Sequence, residues 1–174
     1  LQVPFLPVHL LFINLVTDSL PAIAIGMERS TKDILKEKPR DPSVGILTPA
    51  TMKQLGIQGI LIAVVTMSAY FLGLKESWAI ATTMAFSTLC LSRLFHGFNC
   101  RSQRSLYRIG LFTNKYSILA FVIGFCFLNA ILLWQPLHSL FSVTTITMTQ
   151  LFTIYGLALI PTALIQLGRM LRHR

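Results

Sequence analysis

Apolar residues dominate five stretches of the chain, about 7–26, 53–73, 78–98, 116–134 and 144–167, each near the roughly 20 residues that a helix needs to cross a bilayer. Between them lie a long polar connector (27–52), a tight turn around Lys75 and Glu76, a basic stretch (99–115) and a short uncharged loop containing Pro136. The pattern predicts an all-α integral membrane bundle of five antiparallel spans, because in lipid each helix must satisfy its own backbone hydrogen bonds. Trp78, Tyr116 and Trp134 fall at expected span ends, where amphipathic rings suit the headgroup level. The connector carries Lys38-Pro39-Arg40-Asp41-Pro42 and Gly45, so it reads as an extended, turn-rich segment rather than a folded domain.

Composition sharpens this picture. The 174 residues are 53% hydrophobic and only 12% charged, outside the range of ordinary soluble domains. A net charge of +9 raises the question of nucleic acid, and the placement of the charges answers it. Thirteen of the fifteen lysines and arginines fall with the 27–52 connector, the 99–115 stretch or the tail; Lys75 sits on the opposite face and Arg93 inside a span. The positive-inside rule then puts those three segments and the C-terminus in the cytoplasm and the N-terminal end outside, as expected for a multi-pass cell-membrane protein with the lipid bilayer, not nucleic acid, as partner. Cys90, Cys100 and Cys126 lack any CxxC or metal-ligand spacing and are expected to be buried free thiols. His9, His96, His138 and His173 are scattered, and no metal site is assigned to them. Leu1 is not an initiator methionine and no basic stretch precedes the first apolar run, so the sequence reads as a piece of a longer protein rather than one with a signal peptide.

Chemistry concentrates in the first span. Asn14, Thr17 and Asp18 are spaced by three and four, which on an α-helix puts them on one face. An intramembrane carboxylate is costly unless paired or solvated, so Asp18 is a functional candidate. Pro21 cannot donate to the carbonyl of Thr17, so the helix is expected to loosen there and free a further oxygen. Carboxylate, amide, hydroxyl and carbonyl oxygens on one interrupted helix are the hard ligands that calcium prefers; a packing cluster beside a proline kink is the structural alternative. Arg93 lies within TMAFSTLCLSRLFHGFN, where burying a guanidinium costs on the order of 3 kcal/mol, so it needs a partner unless it snorkels toward the interface marked by His96 and Asn99. As a fixed cation it can neutralise a nearby carboxylate such as Asp18.

The stretch NLVTDSLPAIAIG (Asn14 to Gly26), followed by Lys38-Pro39-Arg40, resembles the sixth transmembrane helix and following cytoplasmic loop of calcium-type P-type ATPases, and the short turn around Lys75 and Glu76, with little room for a large external domain, points to a simple bacterial-type pump. The resemblance implies that 1–26 is an ion-site helix whose Asn14, Thr17 and Asp18 give side-chain oxygens to the transported cation. It makes 27–52 a coupling loop, including Asp33, Lys38, Pro39 and Arg40, and 53–174 the supporting helices seven to ten. Arg93 takes the place of a glutamate that completes a second site in two-ion calcium pumps, which implies one calcium per cycle, with proton countertransport as a possible return step. The chain contains no DKTGT, so ATP and magnesium would be handled by the further membrane helices and cytoplasmic domains of the same polypeptide, and this stretch alone should be inactive. Two other readings stay open: a self-standing permease or channel subunit whose polar helix lines a pathway, and a membrane anchor.

Overall fold

The computed structural model describes residues 3–28, 47–102, 106 and 110–172. Among the described residues, five helices are long and apolar enough to cross a membrane: α1 (Pro7–Gly26), α2 (Pro49–Leu74), α3 (Trp78–Cys100), α4 (Lys115–Leu133) and α6 (Met148–Arg172). A short helix, α5 (Pro136–Phe141), lies between the last two, and no strand occurs among the described residues.

The span boundaries shift from expectation for reasons of capping. Helix α2 starts at Pro49 rather than near 53: Thr48 Oγ1 accepts from the Thr51 amide at 3.2 Å, and Pro49 suits the first helical position. The last span starts at Met148 rather than 144. Ser142 adopts φ 50° after α5, and Thr147 and Gln150 then form a reciprocal cap, the Thr147 amide donating to Gln150 Oε1 at 2.8 Å and the Gln150 amide to Thr147 Oγ1 at 3.2 Å.

Helix α3 is the axis of the bundle. It packs against α2 and α6 on one side and α1 and α4 on the other. Its central window is 67% buried, against 28–33% for the other spans, although its mean hydropathy is the lowest of the five. The reconciliation lies in small hydroxyl residues that permit close helix approach, several of which bond to backbone nearby. Thr83 Oγ1 donates to the Ala79 carbonyl at 2.8 Å and accepts from the Thr144 amide at 3.0 Å, and Ser87 Oγ donates to the Thr83 carbonyl at 2.7 Å. Around this helix pack Phe12 and Ile13 of α1, Ala69 of α2, Leu128 and Ile131 of α4 and Ile154 of α6. A polar seam joins α3 to α6 at the basic end: Asn99 Nδ2 donates to Thr162 Oγ1 at 3.2 Å, and Arg169 Nη1 to the carbonyls of Asn99 and Ser102 at 2.9 and 2.8 Å.

The cysteines depart from expectation: Cys90 is buried, but Cys100 and Cys126 are exposed. Close helix approach depends on glycine at particular positions only; at Gly56 and Gly59 an added Cβ would meet nothing within 4 Å. It does so at Gly73, whose Cβ would lie 2.7 Å from the Ala81 Cα, so only glycine lets α2 meet the start of α3. Gly73→Ala is therefore expected to destabilise the bundle by about 1–3 kcal/mol through forced separation of the backbones. Gly59→Ala should be neutral or slightly stabilising, and reversible unfolding in mixed detergent micelles would measure both.

Candidate functional site

Helix α1 changes its winding where its polar residues lie. Pro7–Phe12 is α-helical, Ile13–Asp18 is π-helical and Ser19–Gly26 returns to α geometry. Pro21 withholds the N–H that would close on the Thr17 carbonyl, and the turn before it widens. Side chains follow the changed register: Ser19 Oγ donates to the Asn14 carbonyl five residues back at 2.8 Å, and Thr17 Oγ1 to the Ile13 carbonyl at 2.8 Å. The helix thus loosens as expected, but over a π turn within a continuous span. The single α-helical face expected for Asn14, Thr17 and Asp18 is correspondingly altered: Thr17 is buried, Asp18 half-buried and Asn14 exposed on the side of the bundle. Pro21 itself seats on Gly97 of α3, where a Cβ would stand 3.1 Å from the proline ring.

Arg93 of α3 closes on this segment, its Nη1 donating to Asp18 Oδ2 at 2.8 Å. The partner expected for the guanidinium is therefore Asp18, 75 residues earlier in the chain. Both side chains keep more than a third of their surface accessible, 38% for Arg93 and 40% for Asp18. Among the described residues, no three His, Cys, Asp or Glu gather as a metal cluster. The polar side chains of this turn are one carboxylate, one exposed amide and one buried hydroxyl that already donates to a backbone carbonyl.

Both ends of α1 are pinned. Near its start, the Leu6 amide donates to His9 Nδ1 at 3.3 Å, which places the ring proton on Nε2, and Nε2 donates to the Phe141 carbonyl at 2.8 Å. The fully buried ring stacks on Phe86 with centroids 4.4 Å apart. At its other end, Glu28 takes a two-pronged bond from Arg101, with Nε and Nη2 each 2.9 Å from a carboxylate oxygen. Asn114 Nδ2 donates to Glu28 Oε2 at 2.6 Å and to the Ala24 carbonyl at 2.9 Å, while its Oδ1 caps α4 by accepting from the Tyr116 and Ser117 amides. One carboxylate thereby ties together the ends of α1 and α3 and the start of α4.

Sequence reading singled out Asp18 and Arg93, which meet, and Pro21, which accounts for the altered turn. It missed His9, Glu28, Arg101 and Asn114. The opposite charges of Glu28 and Arg101 at the ends of two spans on one face were the available signal, and Asn114 three residues before Ser117 was a legible cap. Asp33, Lys38, Pro39 and Arg40 lie outside the described residues.

The Arg101 hydrogen bonds hold the Glu28 carboxyl below its ordinary value of 4.5. A lowered folded-state pKa means that the clamp stabilises fully above the ordinary value and loses its contribution as pH falls through the folded one. Stability should therefore decline on acidification below about pH 4.5, whereas Glu28→Gln, weakened at neutral pH by roughly 2 kcal/mol, should show a flatter profile. Thermal unfolding between pH 7 and pH 3.5, followed by tryptophan fluorescence, tests the sign.

Residues 2–171 match the family described as "Cation transporting ATPase, C-terminus". The calcium-transporting ATPase of Bacillus subtilis strain 168 is 35% identical over 168 residues, covering 95% of this chain and 19% of its own length. A calcium-transporting ATPase of Listeria monocytogenes is 42% identical over 123 residues, 70% of this chain and 14% of its own length. Calcium-transporting ATPase 1 of Bacillus cereus is 32% identical over 177 residues, covering 91% and 20% respectively. The chain spans about a fifth or less of the length of these curated relatives. With five membrane-length helices and a match across nearly its whole length, the chain belongs to the family of C-terminal membrane regions of cation-transporting ATPases.

Proposed function

We propose that this chain supplies the sixth to tenth membrane helices of an ATP-driven calcium pump that moves one calcium per cycle. The observation that carries the reading is Asp18, set in a π-helical turn of an otherwise apolar span and held by Arg93 at 2.8 Å. Widened turns of this kind recur at functional sites, and an intramembrane carboxylate is retained at a cost that transport explains. Relatives named calcium-transporting ATPases support calcium as the cargo.

In this reading Asn14, Thr17 and Asp18 give oxygens to the ion. Because calcium takes six to eight oxygens, the rest come from other helices of a longer polypeptide, whose cytoplasmic domains bind ATP and magnesium. Arg93 occupies the space of a second ion with a fixed positive charge, which repels another divalent cation. It also keeps Asp18 neutralised after the calcium leaves, so any protons carried back ride on carboxylates outside this chain. The C-terminus lies in the cytoplasm, and residues 27–52, with Asp33, Lys38, Pro39 and Arg40, couple ATP use to helix movement. The Glu28 clamp supports that role, since a pull on the connector would reach α1, α3 and α4 together.

ATP hydrolysis by the full-length protein, compared across calcium, manganese, sodium and potassium, tests the proposal. Calcium is expected to stimulate, and Asp18→Asn to reduce that stimulation at least about tenfold. Stimulation by another cation instead would keep the pump and change its cargo. No cation-dependent hydrolysis would favour a permease or an anchor.

A further inference from the structure

A second feature lies away from Asp18, at the basic end of the bundle. The first turns of α2 and the last turns of α6 diverge around a cavity of about 630 Å³, within the size range of small-molecule sites. Its lining is graded along the bundle axis. Lys53 and Arg169 stand near the helix ends, and Ile57, Leu61 and Leu164 line the cavity deeper in the apolar layer. Among the described residues, no carboxylate lines it. Arg169 is held in position through Nη1 by the carbonyls of Asn99 and Ser102, and the N-terminal turn of α2, the positive end of its dipole, forms part of the same wall through Ala50 and Thr51. Gly168 faces the open space of the cavity, since a Cβ there would meet nothing within 4 Å.

We propose that this cavity binds an anionic phospholipid from the leaflet at the basic face, with its phosphate between Lys53 and Arg169 and an acyl chain against Ile57, Leu61 and Leu164. Charge complementarity selects the occupant. Two cations and a helix N-terminus at the mouth call for an anion, and an apolar throat along the membrane normal calls for a chain attached to it. Inorganic phosphate would leave that throat empty, and a zwitterionic lipid would bring its own cation to the basic mouth. The assignment does not depend on which ion, if any, Asp18 carries.

Native mass spectrometry of the full-length protein in mild detergent, titrated with phosphatidylglycerol, phosphatidylcholine or inorganic phosphate, reads the site directly. One phosphatidylglycerol should be retained with a preference of about tenfold over phosphatidylcholine. Lys53→Gln should cut that preference several-fold, and Gly168→Leu, which projects a side chain into the cavity, should weaken retention several-fold while helical circular dichroism and cation-stimulated ATP hydrolysis stay as in the parent. Should Gly168→Leu fold poorly, the loss of preference in Lys53→Gln still decides. Equal retention of the two lipids, retention unchanged in both variants, or binding of phosphate alone would overturn the proposal. A lipid-free dimer that dissociates in Gly168→Leu would assign the cavity to a second copy and overturn it equally.

Discussion

A guanidinium within an apolar layer must be neutralised, and the contact between Arg93 and Asp18 meets that requirement for both residues at once. Much of the local structure follows from it. For the two side chains to meet, α1 must lie against α3, which the small face of Gly97 allows by admitting Pro21. The same proline removes one backbone donor, and the turn that carries Asp18 opens into π geometry. Charge pairing, close packing and helix irregularity are therefore one arrangement.

That arrangement is held from both ends. His9 fixes the start of α1 through a carbonyl and a stacked ring, and Glu28 fixes its finish through Arg101 and Asn114. A span pinned at its termini and loosened in the middle confines motion to the turn that contains Asn14, Thr17 and Asp18. Local backbone adjustment there costs less than in a regular helix, since fewer ladder bonds must break. On the proposed reading, such a middle suits a ligand set that tightens and relaxes, with the outer clamps passing movement to α3 and α4.

The five spans were legible because membrane helices must be long and apolar, and the basic segments were legible because charge avoids lipid. Asp18 and Arg93 stood out for the same reason in reverse. The sequence did not reveal the π turn, since the missing N–H of Pro21 says that the ladder changes but not over which residues it re-registers. Nor did it mark Gly73 as a critical close contact, because the backbone that approaches it belongs to Ala81 on the next helix. His9 was legible only as a scattered histidine, because its partners Phe86 and Phe141 come from distant parts of the chain.

The central claim is that Arg93 holds Asp18 and displaces a second ion. Counting tightly bound calcium per polypeptide in the full-length protein, in the absence of ATP and with Arg93→Glu beside the parent, tests it most directly. One calcium is expected in the parent and a second, weaker one when the fixed cation becomes a carboxylate. Two calcium ions in the parent, with Arg93 and Asp18 intact, would contradict it.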